Sequence, residues 1–106
     1  MAKYLVMASY TAEGAKGVLK DGGTKRRQAA EQALKSAGGT LEAFYFAFGD
    51  NDAYVILEAP DHATVAAASL AINASGAVRT KTVVLLTPEE IDQASKKGTT
   101  YQAPGH

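Results

Sequence analysis

Apolar and polar positions alternate along residues 3–10, KYLVMASY, with Tyr4, Val6, Ala8 and Tyr10 on one side and Leu5, Met7 and Ser9 on the other. A period of two marks a β-strand, because successive side chains point to opposite faces. Thr11 can cap a short helix with Glu13 in its first turn, and Asp21-Gly22-Gly23 breaks it. From Thr24, a second potential cap, the period changes. Ala29, Ala30, Ala33, Leu34 and Ala37 recur at helical spacing and predict a helix over 25–37. Gly38-Gly39 ends it, one glycine taking the left-handed conformation.

Two dense apolar runs follow, 41–48 and 53–59, separated by the turn-forming group Gly49-Asp50-Asn51-Asp52. A loop of even length pairs Phe48 with Ala53, Phe46 with Val55 and Phe44 with Leu57. One face of the hairpin then holds Phe44, Phe46, Phe48, Val55 and Leu57. The other holds Ala43, Tyr45, Ala47, Tyr54, Ile56 and Glu58. Gly49 and Asp52 are the structural residues of the turn, with Asp52 bonding the turn's own backbone. Pro60-Asp61 stops the second strand, and Asp61 can cap a helix running to about Ser75. That helix is apolar all round, which predicts burial on more than one side. Residues 77–86 form a fourth strand. Thr87-Pro88-Glu89-Glu90 combines a cap, a proline at the first position and an acid at the third, and starts a short helix to about Lys97. Residues 98–106 have no periodicity and read as a flexible tail.

The order β-α-β-β-α-β plus a C-terminal helix predicts one α+β domain over 1–97 with a ferredoxin-like, four-stranded antiparallel sheet. Both crossover helices cover one sheet face, yet the strands are apolar on both sides. A second copy stacked sheet on sheet supplies the missing cover, so the chain reads as a homodimer or a higher even oligomer; the alternative is some other partner on that face. Helices built from alanine pack well against large side chains. The three phenylalanines are therefore aimed at the helices, and Tyr45, Tyr54 and Glu58 at the partner sheet.

Eleven acidic and eleven basic residues cancel, which argues against a general nucleic-acid binder. The charges are unevenly spread. Residues 42–61 carry five acids and no base, whereas 16–35 carry Lys16, Lys20, Lys25, Arg26, Arg27 and Lys35 against Asp21 and Glu31. These are two solvated faces, or they attract one another. There is no cysteine, hence no disulfide frame and no thiolate chemistry. No stretch reads as a signal peptide or a membrane span, and a cytoplasmic location is expected.

Candidate chemistry is sparse. His62 and His106 make no metal-ligand cluster. Asp50 and Asp52 are too few ligands for a hard cation. The glycines and serines follow no phosphate-loop or nucleophile-elbow pattern, and Lys25-Arg26-Arg27 reads as a solvated helix face. No metal or cofactor is called for. What remains is a possible polar pocket of Tyr10, Tyr45, Tyr54 and Glu58, with Arg26 or Arg79 reaching in. Such a set suits a small aromatic or acidic ligand; the plain reading is that the tyrosines are interface residues.

Tyr10-Thr11, Glu13-Gly14, Arg26, Gly38-Gly39, FYFAFGDND, EAPD and the later AVRT and LTPEE together resemble the GYD-domain proteins over roughly residues 3–90. The resemblance implies a dimeric α/β barrel. The family's Gly-Tyr-Asp signature is incomplete here: Gly49 and Asp52 stand, but Asn51 precedes the aspartate. The resemblance implies no agreed activity. Two function classes stay open: a dimeric ligand-binding or interaction module without catalysis, and a cofactor-free oxygenase or isomerase acting on a small aromatic or acidic compound.

Overall fold

The computed structural model describes residues 1–106. Along the chain run β1 (Ala2–Tyr10), α1 (Ala12–Asp21), α2 (Gly23–Ser36), β2 (Thr40–Phe46), β3 (Ala53–Ala59), α3 (His62–Ala74), β4 (Val78–Leu85) and α4 (Pro88–Ser95). The sheet order is β2-β3-β1-β4, and every neighbouring pair is antiparallel. This is the ferredoxin-like α+β arrangement. No helix is long and apolar enough to cross a membrane.

Three helices start where a side-chain cap allows. The side chains of Thr11, Asp61 and Thr87 accept from the backbone N–H groups of Gly14, Thr64 and Glu90. The second helix departs from expectation. It starts at Gly23 rather than after Thr24, and no side chain caps it. Gly22, at φ 81°, bonds back to the Val18 carbonyl and turns the chain straight from α1 into α2. That conformation suits glycine. Gly23 then lies against Phe46, where a Cβ would fall 2.8 Å from the ring.

The hairpin register also differs from the even-loop pairing. Phe46 lies opposite Ala53, Tyr45 opposite Tyr54 and Phe44 opposite Val55, two residues away from expectation. The loop is longer because it is tied to β1. The Asp52 N–H bonds the Ala8 carbonyl, and the Ala47 N–H bonds the Asp52 carbonyl, both at 2.8 Å. A slip of two keeps every side chain on its expected face, but it moves Phe48 out of the strand and leaves it fully exposed. Two phenylalanines, not three, face the helices.

Tyr4, Ala8, Ala53, Val55, Leu57 and Ala59 are buried on the helix-covered side of the sheet, with Val65 of α3 against them. Apart from Val65, α3 buries nothing fully, and Leu70 on its back is 73% exposed. The expectation that α3 is covered on more than one side does not hold, because no element of the chain packs on its outer surface. The α4 helix is likewise exposed throughout, and the molecule extends to 56 Å along its longest axis. The acidic hairpin and the basic 16–35 stretch do not pair within the chain. The two ion pairs present both use Lys3, with Glu42 at 2.8 Å and Glu58 at 3.9 Å.

Candidate functional site: a cavity between the sheet and two helices

The helix α2 lies over β2, and α3 over β3 and β4. Between them the sheet is roofed largely by small side chains, with Leu34, Val65 and Ile72 the larger apolar ones. Ala30, Ala33 and Ala37 recur along α2; Ala68 and Ile72 come down from α3; Val6 and Val55 form the floor. Alanine stripes facing a flat sheet do not fill the space that two crossing helices leave. The result is a cavity of about 140 Å³ lined by 19 residues, 16 of them hydrophobic. A void of about 150 Å³ is enough for a benzene ring.

Polar groups lie at defined places on this lining. The two sheet rows fix the ends. Tyr10 is opposite Val78 at the close of β1, and its ring lies 6.4 Å from that of Phe46. Arg26 is in the first turns of α2, which begins against Phe46, so it shares that end with Tyr10. Arg26 is half-buried and forms no ion pair within the chain. Tyr10 uses its backbone N–H on the Asp52 carboxylate at 2.7 Å. Ser69 reaches the lining midway along α3, and Thr64 enters near its start. The Thr64 hydroxyl and N–H bond Asp61, which holds the Asp61 carboxyl below its ordinary value of 3.8. At that far end Tyr4 is 2% exposed, and its phenol bonds His62 Nδ1 at 2.5 Å.

The six pocket residues named from the sequence fall on opposite sides of the sheet. Tyr10 and Arg26 line the cavity. Tyr45, Tyr54, Glu58 and Arg79 share a face with Leu5, Met7, Ile56 and Val83, which no helix covers. Even there they do not converge. Tyr45 is directly opposite Tyr54, and the Tyr54 hydroxyl accepts from Asn51 Nδ2 at 3.3 Å. Glu58 is beside Lys3, whereas Arg79 is opposite Ser9, six residues along β1 and so about 20 Å away. The cation near Glu58 is Lys3, not Arg79 or Arg26. A hydrogen bond to Glu42 is the main reason the Lys3 ammonium is held above its ordinary 10.5. Asp52 fastens the loop to β1 through Tyr10 rather than bonding the loop alone, and Gly49 takes φ 134° in that loop. No group of three or more His, Cys, Asp or Glu side chains is placed to hold a metal ion.

Sequence reasoning named the alanines of the two helices but missed the cavity they leave, and it missed Thr64, Ser69 and the Tyr4–His62 pair. The cavity had a signal: Ala30, Ala33 and Ala37 on one helix and Val65, Ala68 and Ile72 on the next each repeat at three- and four-residue steps. The model for the GYD domain family matches residues 4–95 of this chain, from the first strand through α4. Neither a search of curated proteins nor one of solved structures finds a match.

Proposed function

We propose that this chain, which belongs to the GYD domain family, is a small-ligand-binding module that holds its ligand in the cavity beneath α2 and α3. One observation carries the reading. The space between helices and sheet is apolar, benzene-sized and lined by alanines, where ordinary packing would place larger side chains. The lining offers an arginine, a tyrosine and two small hydroxyl residues, and no carboxylate, imidazole or amine to act as a general base. That set favours binding over the alternative of a cofactor-free oxygenase or isomerase. The assembly that fits is a homodimer through the open sheet face, where Tyr45 is 71% and Val83 43% exposed. An antiparallel sheet tolerates one wet face when that face is polar; this one carries Leu5, Met7, Ile56 and Val83.

A thermal-shift screen with small aromatic and aliphatic compounds tests the binding. Some should raise the Tm of wild type. Ala68→Leu, which fills the cavity, should be at least as stable without ligand and should show no shift. A screen in which no compound moves the wild-type Tm overturns the reading. Sedimentation equilibrium at micromolar concentration tests the assembly, and a single monomeric species there would remove the dimer.

A further inference from the structure

We infer that the cavity is built for a compound with a single negative charge at one end of a small apolar body, a benzoate-like or short-chain carboxylate, and that Arg26 is the residue that recognises the charge. The inference rests on the cavity being a binding site and adds the chemical class of what enters it.

Four observations lead there. Arg26 is the only charged residue on the lining. It is one of three consecutive cations, but Lys25 and Arg27 are exposed while Arg26 is half-buried and turned to the cavity. No acid of the chain neutralises it: Asp21 and Glu31 flank it in sequence, yet neither lies within ion-pair distance. The nearby Asp52 carboxylate accepts the Tyr10 N–H at 2.7 Å and forms no ion pair with the guanidinium. A guanidinium has five donors in a planar fork that matches a carboxylate, and here the chain itself uses none of them on an acid.

The α2 helix begins on Gly22 with no capping side chain and no acid in its first turn, so none of its first N–H groups is taken by a side chain of its own cap. Tyr10 lies at the same end and can donate its phenolic proton to an oxygen held by Arg26. The rest of the lining is alanine and aliphatic apart from Phe44, with Ser69 and Thr64 the only other polar side chains. A carboxylate at the Arg26–Tyr10 end with a ring or short chain lying along Val6 and Val55 satisfies both halves of the site. An amine meets a like charge, and a dianion leaves one charge over apolar wall.

Calorimetric titration of the full chain at pH 7 with benzoate, benzyl alcohol and benzylamine tests this. Benzoate should bind at least about tenfold tighter than benzyl alcohol, in line with a hydrogen bond to a charged group, and benzylamine should not bind. Arg26→Gln should remove that preference, and a cooperative urea unfolding transition shows that the variant folds. Lys25→Gln and Arg27→Gln should keep the preference. If benzyl alcohol binds as well as benzoate, the anion inference falls and the binding module stands. If Lys25→Gln weakens benzoate as much as Arg26→Gln, a diffuse positive field replaces Arg26 and the inference is overturned. If none of the three binds, it falls as well.

Discussion

The two faces of the sheet are made from the same strands and treat the same kinds of side chain differently. Under the helices, Val55, Leu57 and Ala53 are almost fully buried, yet the alanine roof above them leaves a cavity. On the other side, Leu5, Ile56 and Val83 have no cover from the chain and Tyr45 stands in solvent. Apolar content alone therefore does not say which side is the core. Packing does, and it is set by what lies across from each residue. The covered face has its hollow because small residues oppose it; the open face has its exposure because nothing opposes it.

The largest effect that could break this comparison comes from matched truncations. Leu57→Ala on the covered side should cost about 3 kcal/mol in urea unfolding, since Leu57 is 6% exposed and its loss enlarges a space that is already unfilled. Val83→Ala should cost under about 0.5 kcal/mol at concentrations low enough to keep the chain monomeric, and more as concentration rises if the open face meets a second copy. Equal costs at low concentration would mean the faces do not differ as described. Next in size is Asp52→Ala. Its carboxylate ties the hairpin loop to β1 through the Tyr10 N–H, and its loss should lower stability by about 1–2 kcal/mol and speed amide exchange at Tyr10. Unchanged exchange there would show that the loop is held otherwise.

The smallest effect is a pH dependence at the rim of the covered side. The Asp61 carboxyl is held below 3.8 by Thr64. A depressed acid stabilises the fold fully above its unfolded value and loses that contribution as pH falls through the folded one. Asp61→Ala should therefore melt slightly below wild type at pH 7, and the two should converge as pH drops below about 3.8. A gap that persists in acid would point to packing rather than charge.

Much of this was legible in the chain. Alternation, caps and glycines located every strand and every helix, with the start of α2 the one displaced helix start, because those signals are local. The face assignments of Tyr10, Phe44, Tyr45 and Tyr54 also followed, since a slip of two residues preserves them. The site did not follow. Tyr10 and Arg26 belong together and Tyr45, Tyr54, Glu58 and Arg79 do not, and that separation depends on sheet order and on distance along strands. Nor could composition show that Phe48 would leave the helix side. Its place was decided by the Asp52 bonds to β1, which no pattern within the hairpin encodes. The cavity is the product of two helices meeting one sheet, so its alanines read singly as ordinary helix formers.

One irregularity in β2 has a consequence for changes of chain length. The pairing with β3 slips between Leu41 and Ala43, so Glu42 is an extra residue whose carboxylate goes to Lys3. Removing Glu42 would leave Leu41 opposite Leu57 and Ala43 opposite Ile56 in a regular ladder, with no side chain changing sides. Removing Ala43 would also lift the bulge, with Glu42 taking the place opposite Ile56, whereas removing Phe44 would carry Ala43 into the place opposite Val55 and take an aromatic ring from the covered side. Positions 42 and 43 are thus where this strand can be shortened by a residue with its other side chains still read in the same frame.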